Sequence, residues 1–197
     1  MARQLIPAAE SPESAAVVAR WLVDEWAHLY PQWDHAAAVA ELLGSGDAGN
    51  PPQTWLLFEE FGDRHEQSAR TVIGSIGLGL DGELPAPAPR SDNNRSNGSD
   101  GDDGDDGDDG DEGDEAVPPS GVWVVNLFVT PSARGRGHGT ALLDHAVAEA
   151  LSMGMSELLL TTEHSADHYA SLGWHRTGVI DLNGHESVLM RLSTMGR

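Results

Sequence analysis

Residues 133–143 read "ARGRGHGTALL". Gly135, Gly137 and Gly139 hold alternate positions, Arg136 and His138 stand between them, and Arg134 leads in. The apolar run "GVWVVNLFV" (121–129) lies before this stretch, and "GTALLDHAVAEALSMG" (139–154), with helical spacing, continues it. A strand that enters a glycine loop and leaves as a helix opens a β-loop-α unit, so what the loop can bind governs the reading of the chain.

Several loops share this outline. A phosphate-binding P-loop needs Gly-Lys-Ser/Thr, and all eleven basic residues here are arginine, which excludes it. A dinucleotide loop runs G-x-G-x-x-G from the strand end. Here the spacing is G-x-G-x-G, residue 140 is threonine, and "TPSAR" separates strand from glycines, although Glu163 follows the next strand as an acid would. An Arg-Gly tract that binds RNA is a long repeat, whereas this is one copy between two apolar elements. Two readings stay open. The small residues can turn successive N–H groups into one concavity beside a helix N-terminus, which makes an anion nest. Alternatively, the glycines simply form a turn that caps the helix.

Working outward, "SELLLTT" (156–162) is a second buried strand, so 121–162 is a β-loop-α-β unit with a parallel crossover. "SADHYASLGW" (165–174) has the form of a short helix closed by Gly173, and Asn183-Gly184 joins "HRTGVIDL" and "HESVLMRLS" as a hairpin. Upstream, "RQLIPA" (3–8) predicts a strand. A helix N-capped by Ser11 runs on towards Pro31, and a second spans 34–46. Strands follow over 53–60 and 70–81, with Gly74, Gly77 and Gly79 marking a bulge or a close backbone approach. The expected fold is α/β: a single domain over 1–197, with a twisted mixed sheet of about seven strands flanked by helices.

Between the third and fourth strands, residues 86–119 lose apolar content. Residues 91–115 hold 12 acids and one arginine, so this insert is expected to be disordered. Its glycine period resembles collagen but has no proline, and an EF-hand loop is excluded because Gly107 falls at the wrong offset. The whole chain carries a net charge of −21, which argues against nucleic-acid binding. The absence of cysteine excludes thiolate nucleophiles and Cys-based zinc sites. With no basic-then-apolar leader and no apolar run near ~18 residues, no membrane association is expected and the expected setting is the cytoplasm. His164 and His168 have i, i+4 spacing but no evident third ligand, so no metal is expected.

"LFVTPSARGRGHGTALLDHAVAEA" resembles the acetyl-CoA-binding motif of the GNAT superfamily of N-acetyltransferases, Arg/Gln-x-x-Gly-x-Gly/Ala, through Arg134, Gly137 and Gly139. "HYASLGW" (168–174) resembles that family's Tyr-x-x-x-Gly-aromatic segment at a fitting distance. The resemblance implies direct attack of an amine on acetyl-CoA without an acyl-enzyme. It implies that Leu127, Phe128 and Val129 line the pantetheine arm, with a backbone N–H, that of Val129, facing the thioester oxygen. The pyrophosphate would be held by N–H groups of Arg134, Gly135, Arg136, Gly137, His138, Gly139 and Thr140. Tyr169 matches the general acid that protonates the leaving thiolate. Glu163, at a strand end, is the candidate base, with Glu59, Glu60, Asp81 and His164 as alternatives. Asn126, polar in an apolar strand, either faces substrate or satisfies a bulge. The expected partner is a small amine or a peptide amine, and the protein a monomer or homodimer; a non-catalytic CoA-binding module is the alternative.

Overall fold

The computed structural model describes residues 3–44, 46, 50–61, 69–80 and 121–194. Seven strands form one mixed sheet: β1 (Arg3–Pro7), β2 (Gln53–Phe61), β3 (Ala69–Leu80), β4 (Val122–Val129), β5 (Glu157–Thr162), β6 (His175–Leu182) and β7 (His185–Ser193), in spatial order β1-β2-β3-β4-β5-β7-β6. Among the described residues four α-helices flank it: α1 (Pro12–Trp26), α2 (His35–Leu43), α3 (His138–Ser152) and α4 (Ala166–Ser171). The expected mixed α/β sheet is what forms. The acidic insert joins β3 to β4 and lies outside the described residues, as does Asp81. Among the described residues no helix is long and apolar enough to cross a membrane.

The sheet carries a core on each face. Leu142, Leu143, Ala146, Val147 and Ala150 of α3 pack on Leu57, Ile76, Leu78 and Leu158. On the other face Val18, Ala19 and Leu22 of α1 with Ala38 and Leu42 of α2 pack on Leu56 and Phe58. Apolar residues at i, i+3 and i+4 thus give each helix one buried stripe, which drives docking more than intrinsic propensity does.

The first two helices begin where the sequence predicts and end earlier. Ser11 is the N-cap of α1, but its hydroxyl bonds the Ser14 hydroxyl at 3.0 Å instead of a backbone N–H, and Pro12 supplies the fixed φ that starts the helix. The helix ends at Trp26, short of Pro31, because Leu29 and Tyr30 are drawn away to pack on Ile180 and Leu182 of β6. The second helix runs only over His35–Leu43: Asp34 caps it by accepting from the Ala37 N–H at 2.8 Å, and Gly44 leaves helical geometry. Elsewhere local signals suffice. Asn183 (φ 56°) and Gly184 (φ 86°) form the β6–β7 turn. Gly173 (φ 90°) closes α4, with Trp174 N–H on the Tyr169 carbonyl at 3.1 Å.

The decisive irregularity is in β4. Gly77 pairs with Val125 and Ser75 with Phe128, so β4 carries one residue more than β3 across this interval. Asn126 sits there at φ 56°, a left-handed conformation that asparagine tolerates better than most residues. The Ser75 hydroxyl donates to the Asn126 carbonyl at 2.7 Å, and the Asn126 amide donates to Glu41 Oε1 of α2 at 2.8 Å. A bulge inverts the alternation of faces. Val122 and Val124 face α3, yet Phe128 faces α1 and meets the Trp21 ring at 5.8 Å, while Leu127 and Val129 now turn to the α3 side. Gly74 accommodates the returning strand, since a Cβ there would stand 2.5 Å from the Phe128 carbonyl oxygen.

Candidate active site

Beside the bulge, the sheet opens. Strands β4 and β5 are parallel and pair at Trp123–Leu159 alone, then diverge towards their C-terminal ends. A cavity of about 560 Å³ occupies the splay, lined by Trp123 to Val129 of β4, by Leu160 to Ser165, and by Tyr169 of α4. Ligand sites in α/β sheets favour this carboxyl end of the strands.

One end of the cavity is the glycine loop. After β4 a 3-10 turn, Pro131–Ala133, is closed by the Arg134 N–H on the Pro131 carbonyl at 3.3 Å. The chain then passes Gly135 and Gly137, both at φ 75°, and α3 begins at His138 with Gly137 as its N-cap. No acceptor among the described residues faces the N–H groups from Gly135 to Thr140. A Cβ at Gly135, Gly137 or Gly139 would meet nothing within 4 Å. Free donors, open space and a helix N-terminus together fit a pyrophosphate. Of the seven loop residues expected to hold one, Arg134 already uses its N–H within the turn.

The loop side chains are engaged elsewhere. Arg134 Nε donates to the Val129 carbonyl at 2.9 Å, Arg134 Nη2 lies 3.3 Å from Glu25 Oε1, and its guanidinium covers the Phe128 ring at 5.6 Å. Arg136 Nη1 is 3.8 Å from Glu59 Oε2, and Arg3 donates to the Arg136 carbonyl at 3.1 Å. The His138 imidazole is sealed just beneath the surface, 4.0 Å from Glu59 Oε1, with neither ring nitrogen hydrogen-bonded. Its pKa is lowered from the usual 6.5, first by burial and then by Arg3, with Glu59 pulling the other way. His138 can therefore offer a ligand only its backbone N–H. Glu59 sits under this loop, and Glu59 and Glu60 are both outside the cavity lining.

The other end is acidic and aromatic. Glu163 lines it, with Oε2 at 2.9 Å from His28 Nε2 and Oε1 at 3.4 Å from His185 Nδ1. Glu41, Trp26, Tyr30, Trp33 and His164 also line the cavity, and Glu25, paired with Arg134, lines it too. Burial, with Glu41 and Glu163 nearby, pushes the Tyr30 phenol up to about 12. Tyr169 packs edge-on to Trp174 at 6.1 Å, and its phenol pKa is raised by burial. The Tyr169 hydroxyl makes no hydrogen bond to a described residue.

The splay therefore brings Leu127, Phe128, Val129, Arg134, Gly139, Glu163 and Tyr169 to one cavity. Sequence reasoning missed Glu25, Glu41, His28 and His185, which arrive from α1, α2, the turn after α1, and β7. The aromatic run Trp26, Tyr30 and Trp33 was the available signal, because three large rings crowd the segment where the first helix was expected to finish.

A family model described as the acetyltransferase (GNAT) family matches residues 17–178, most of the chain. That family uses acetyl-CoA in general. No curated protein matches significantly. Among solved structures, the fold is similar to that of an aminoglycoside 6'-acetyltransferase type Ii (16% identity, TM-score 0.56, covering 100% of this chain and 99% of that one). It is similar to an aminoglycoside 6'-N-acetyltransferase complexed with coenzyme A (15%, TM-score 0.55, 100% and 99%). It is also similar to the ribosomal-protein-S18-alanine N-acetyltransferase from Escherichia coli (14%, TM-score 0.53, 98% and 94%). At these identities the likeness concerns the fold alone.

Proposed function

The chain belongs to the acetyltransferase (GNAT) family, and on that premise we propose that it transfers the acetyl group of acetyl-CoA to a primary amine. The observation that carries this reading is the splay, with unpaired N–H groups of 135–140 at one end and Tyr169 with Glu163 at the other. Acetyl-CoA would supply the activated acyl group. Backbone donors from Gly135 to Thr140 hold its pyrophosphate, and Leu127, Phe128 and Val129 flank its pantetheine arm. The Arg134 side chain, bonded to the Val129 carbonyl and paired with Glu25, adds positive charge beside the backbone donors.

At the acceptor end, Glu41 and Glu163 attract an ammonium group, and Trp26 and Trp33 shield its carbon skeleton. An amine attacks only after losing its proton. Glu163 takes that proton, and half-exposed His28, bonded to it, gives the proton a route to solvent. Tyr169, which burial keeps protonated, donates to the departing sulfur. The Asn183 amide donates to the Leu29 carbonyl and ties the β6–β7 turn to the segment after α1. A cytoplasmic setting suits a reaction that consumes acetyl-CoA.

A CoA-release screen over small amines, polyamines, amino acids and N-terminal peptides tests the proposal. Release with at least one small cationic amine is expected. Tight CoA binding with intact thioester across the panel would make the protein a CoA-binding module instead.

A further inference from the structure

We propose that His28, Glu163 and His185 form a binding site for a divalent transition ion of the Zn²⁺ class at the acceptor mouth. Three segments distant in sequence each aim one group at a common point: the turn after α1, the turn after β5, and the first residue of β7. One ligand atom from each lies within 4.8 Å of the others. The two imidazoles approach different oxygens of the same carboxylate, at 2.9 and 3.4 Å, and their rings stand edge to face at 5.0 Å. Zn–N and Zn–O bonds of about 2.0–2.2 Å in a tetrahedron place ligand atoms about 3.3–3.6 Å apart. The His185 nitrogen stands at that distance from Oε1 and the His28 nitrogen a few tenths of an ångström closer to Oε2, so a turn of the Glu163 carboxylate would bring one oxygen between the two rings. His28 is 44% exposed and free to adjust with it.

The surroundings suit a cation. The Asn183–Leu29 hydrogen bond and the packing of Leu29 on Ile180 and Leu182 hold the two histidine-bearing segments together before any ion arrives. Glu25 and Glu41 in the same cavity add negative potential. Two imidazole nitrogens and one carboxylate oxygen select Zn²⁺ or Co²⁺ over Ca²⁺ or Mg²⁺, which require oxygen ligands in larger number. Water or a small ligand would complete the sphere at the fourth position. Ion binding would occupy the carboxylate assigned above as proton acceptor, so a loaded enzyme should be a stalled one. That consequence, unlike the site itself, rests on the proposed function.

Tag-free protein is titrated with ZnCl2 and with CoCl2 in a non-chelating buffer. A Tm rise of about 5–10 °C is expected at a hundredfold excess over Kd, reversed by EDTA. Cobalt should give the visible absorption band of a four-coordinate ion, and excess MgCl2 or CaCl2 should not displace it. His28→Ala and His185→Ala should each weaken binding at least tenfold, and the double variant should lose both Tm shift and spectrum. No Tm response in the wild type, or an undiminished response in the double variant, overturns the site. Binding with turnover unimpaired leaves the site standing and removes Glu163 from the role of base.

Discussion

Replacing Gly139 by alanine should raise stability and lower CoA affinity at once. Gly139 lies in the first turn of α3, is not at positive φ, and would place a Cβ in open space. Alanine there removes backbone freedom from the unfolded chain, a gain of about 0.5–1 kcal/mol, or roughly 1–4 °C in Tm for a domain of this size. That open space is the volume the pyrophosphate is proposed to fill, and Gly139 lines the cavity. A methyl group in it would push an anionic oxygen off at least one N–H donor. A charge-assisted hydrogen bond contributes about 1.5–3 kcal/mol, so CoA should bind about ten- to a hundredfold more weakly. Gly137→Ala is the contrasting variant: at φ 75° it should lose stability as well as affinity. Thermal unfolding reads one quantity and calorimetric titration with CoA the other. An unchanged Kd for Gly139→Ala would place the phosphates elsewhere, and a lowered Tm would refute the open-space argument.

Tyr169→Phe should reduce kcat by up to about a hundredfold with little change in the acceptor KM, measured by single-turnover CoA release, and an unchanged kcat would remove Tyr169 from proton transfer. Gly74→Ala forces β4 away from β3 where a Cβ would lie 2.5 Å from the Phe128 carbonyl oxygen, so a loss of about 1–3 kcal/mol in urea unfolding is expected together with a raised KM for acetyl-CoA. His138, with its folded pKa held below 6.5, binds fewer protons folded than unfolded, so its contribution is present above pH 6.5 and is lost as pH falls through 6.5 towards the folded value. Urea midpoints should therefore decline less steeply on acidification for His138→Gln than for the wild type, and parallel profiles would show that His138 is not the titrating group.

What was legible in the sequence is what short range decides. The glycine loop, the Asn183-Gly184 turn and the Gly173 stop each depend on backbone conformations that few residues adopt, and composition reveals them. The close approach at Gly74 could also be suspected, because a central strand seldom spends a position on glycine without a packing reason. The acidic mouth was hidden for the opposite reason. Glu25, Glu41, His28 and His185 look like ordinary solvated residues in their own segments, and only the meeting of α1, α2 and the β6–β7 hairpin makes them neighbours. The end of α1 was misjudged on the same ground: Leu29 and Tyr30 continue a helical pattern, yet their partners Ile180 and Leu182 lie far along the chain. His138 adds a point that the sequence does not carry: the contact expected of it is a backbone N–H, and its ring is turned inward to Glu59.

The extra residue at Asn126 has a consequence for anyone who would move this binding loop into another protein. Transplanting residues 133–143 alone would carry the phosphate donors but not the strand that feeds them. Without the additional residue, Phe128 would exchange places with Leu127 and Val129, driving an aromatic ring into the α3 core and withdrawing the aliphatic wall from the pantetheine side. Deleting Asn126 is thus a phase error carried through to the strand end. The portable unit begins at Val122, and its boundary is set by a single asparagine anchored to a helix on the opposite face of the sheet.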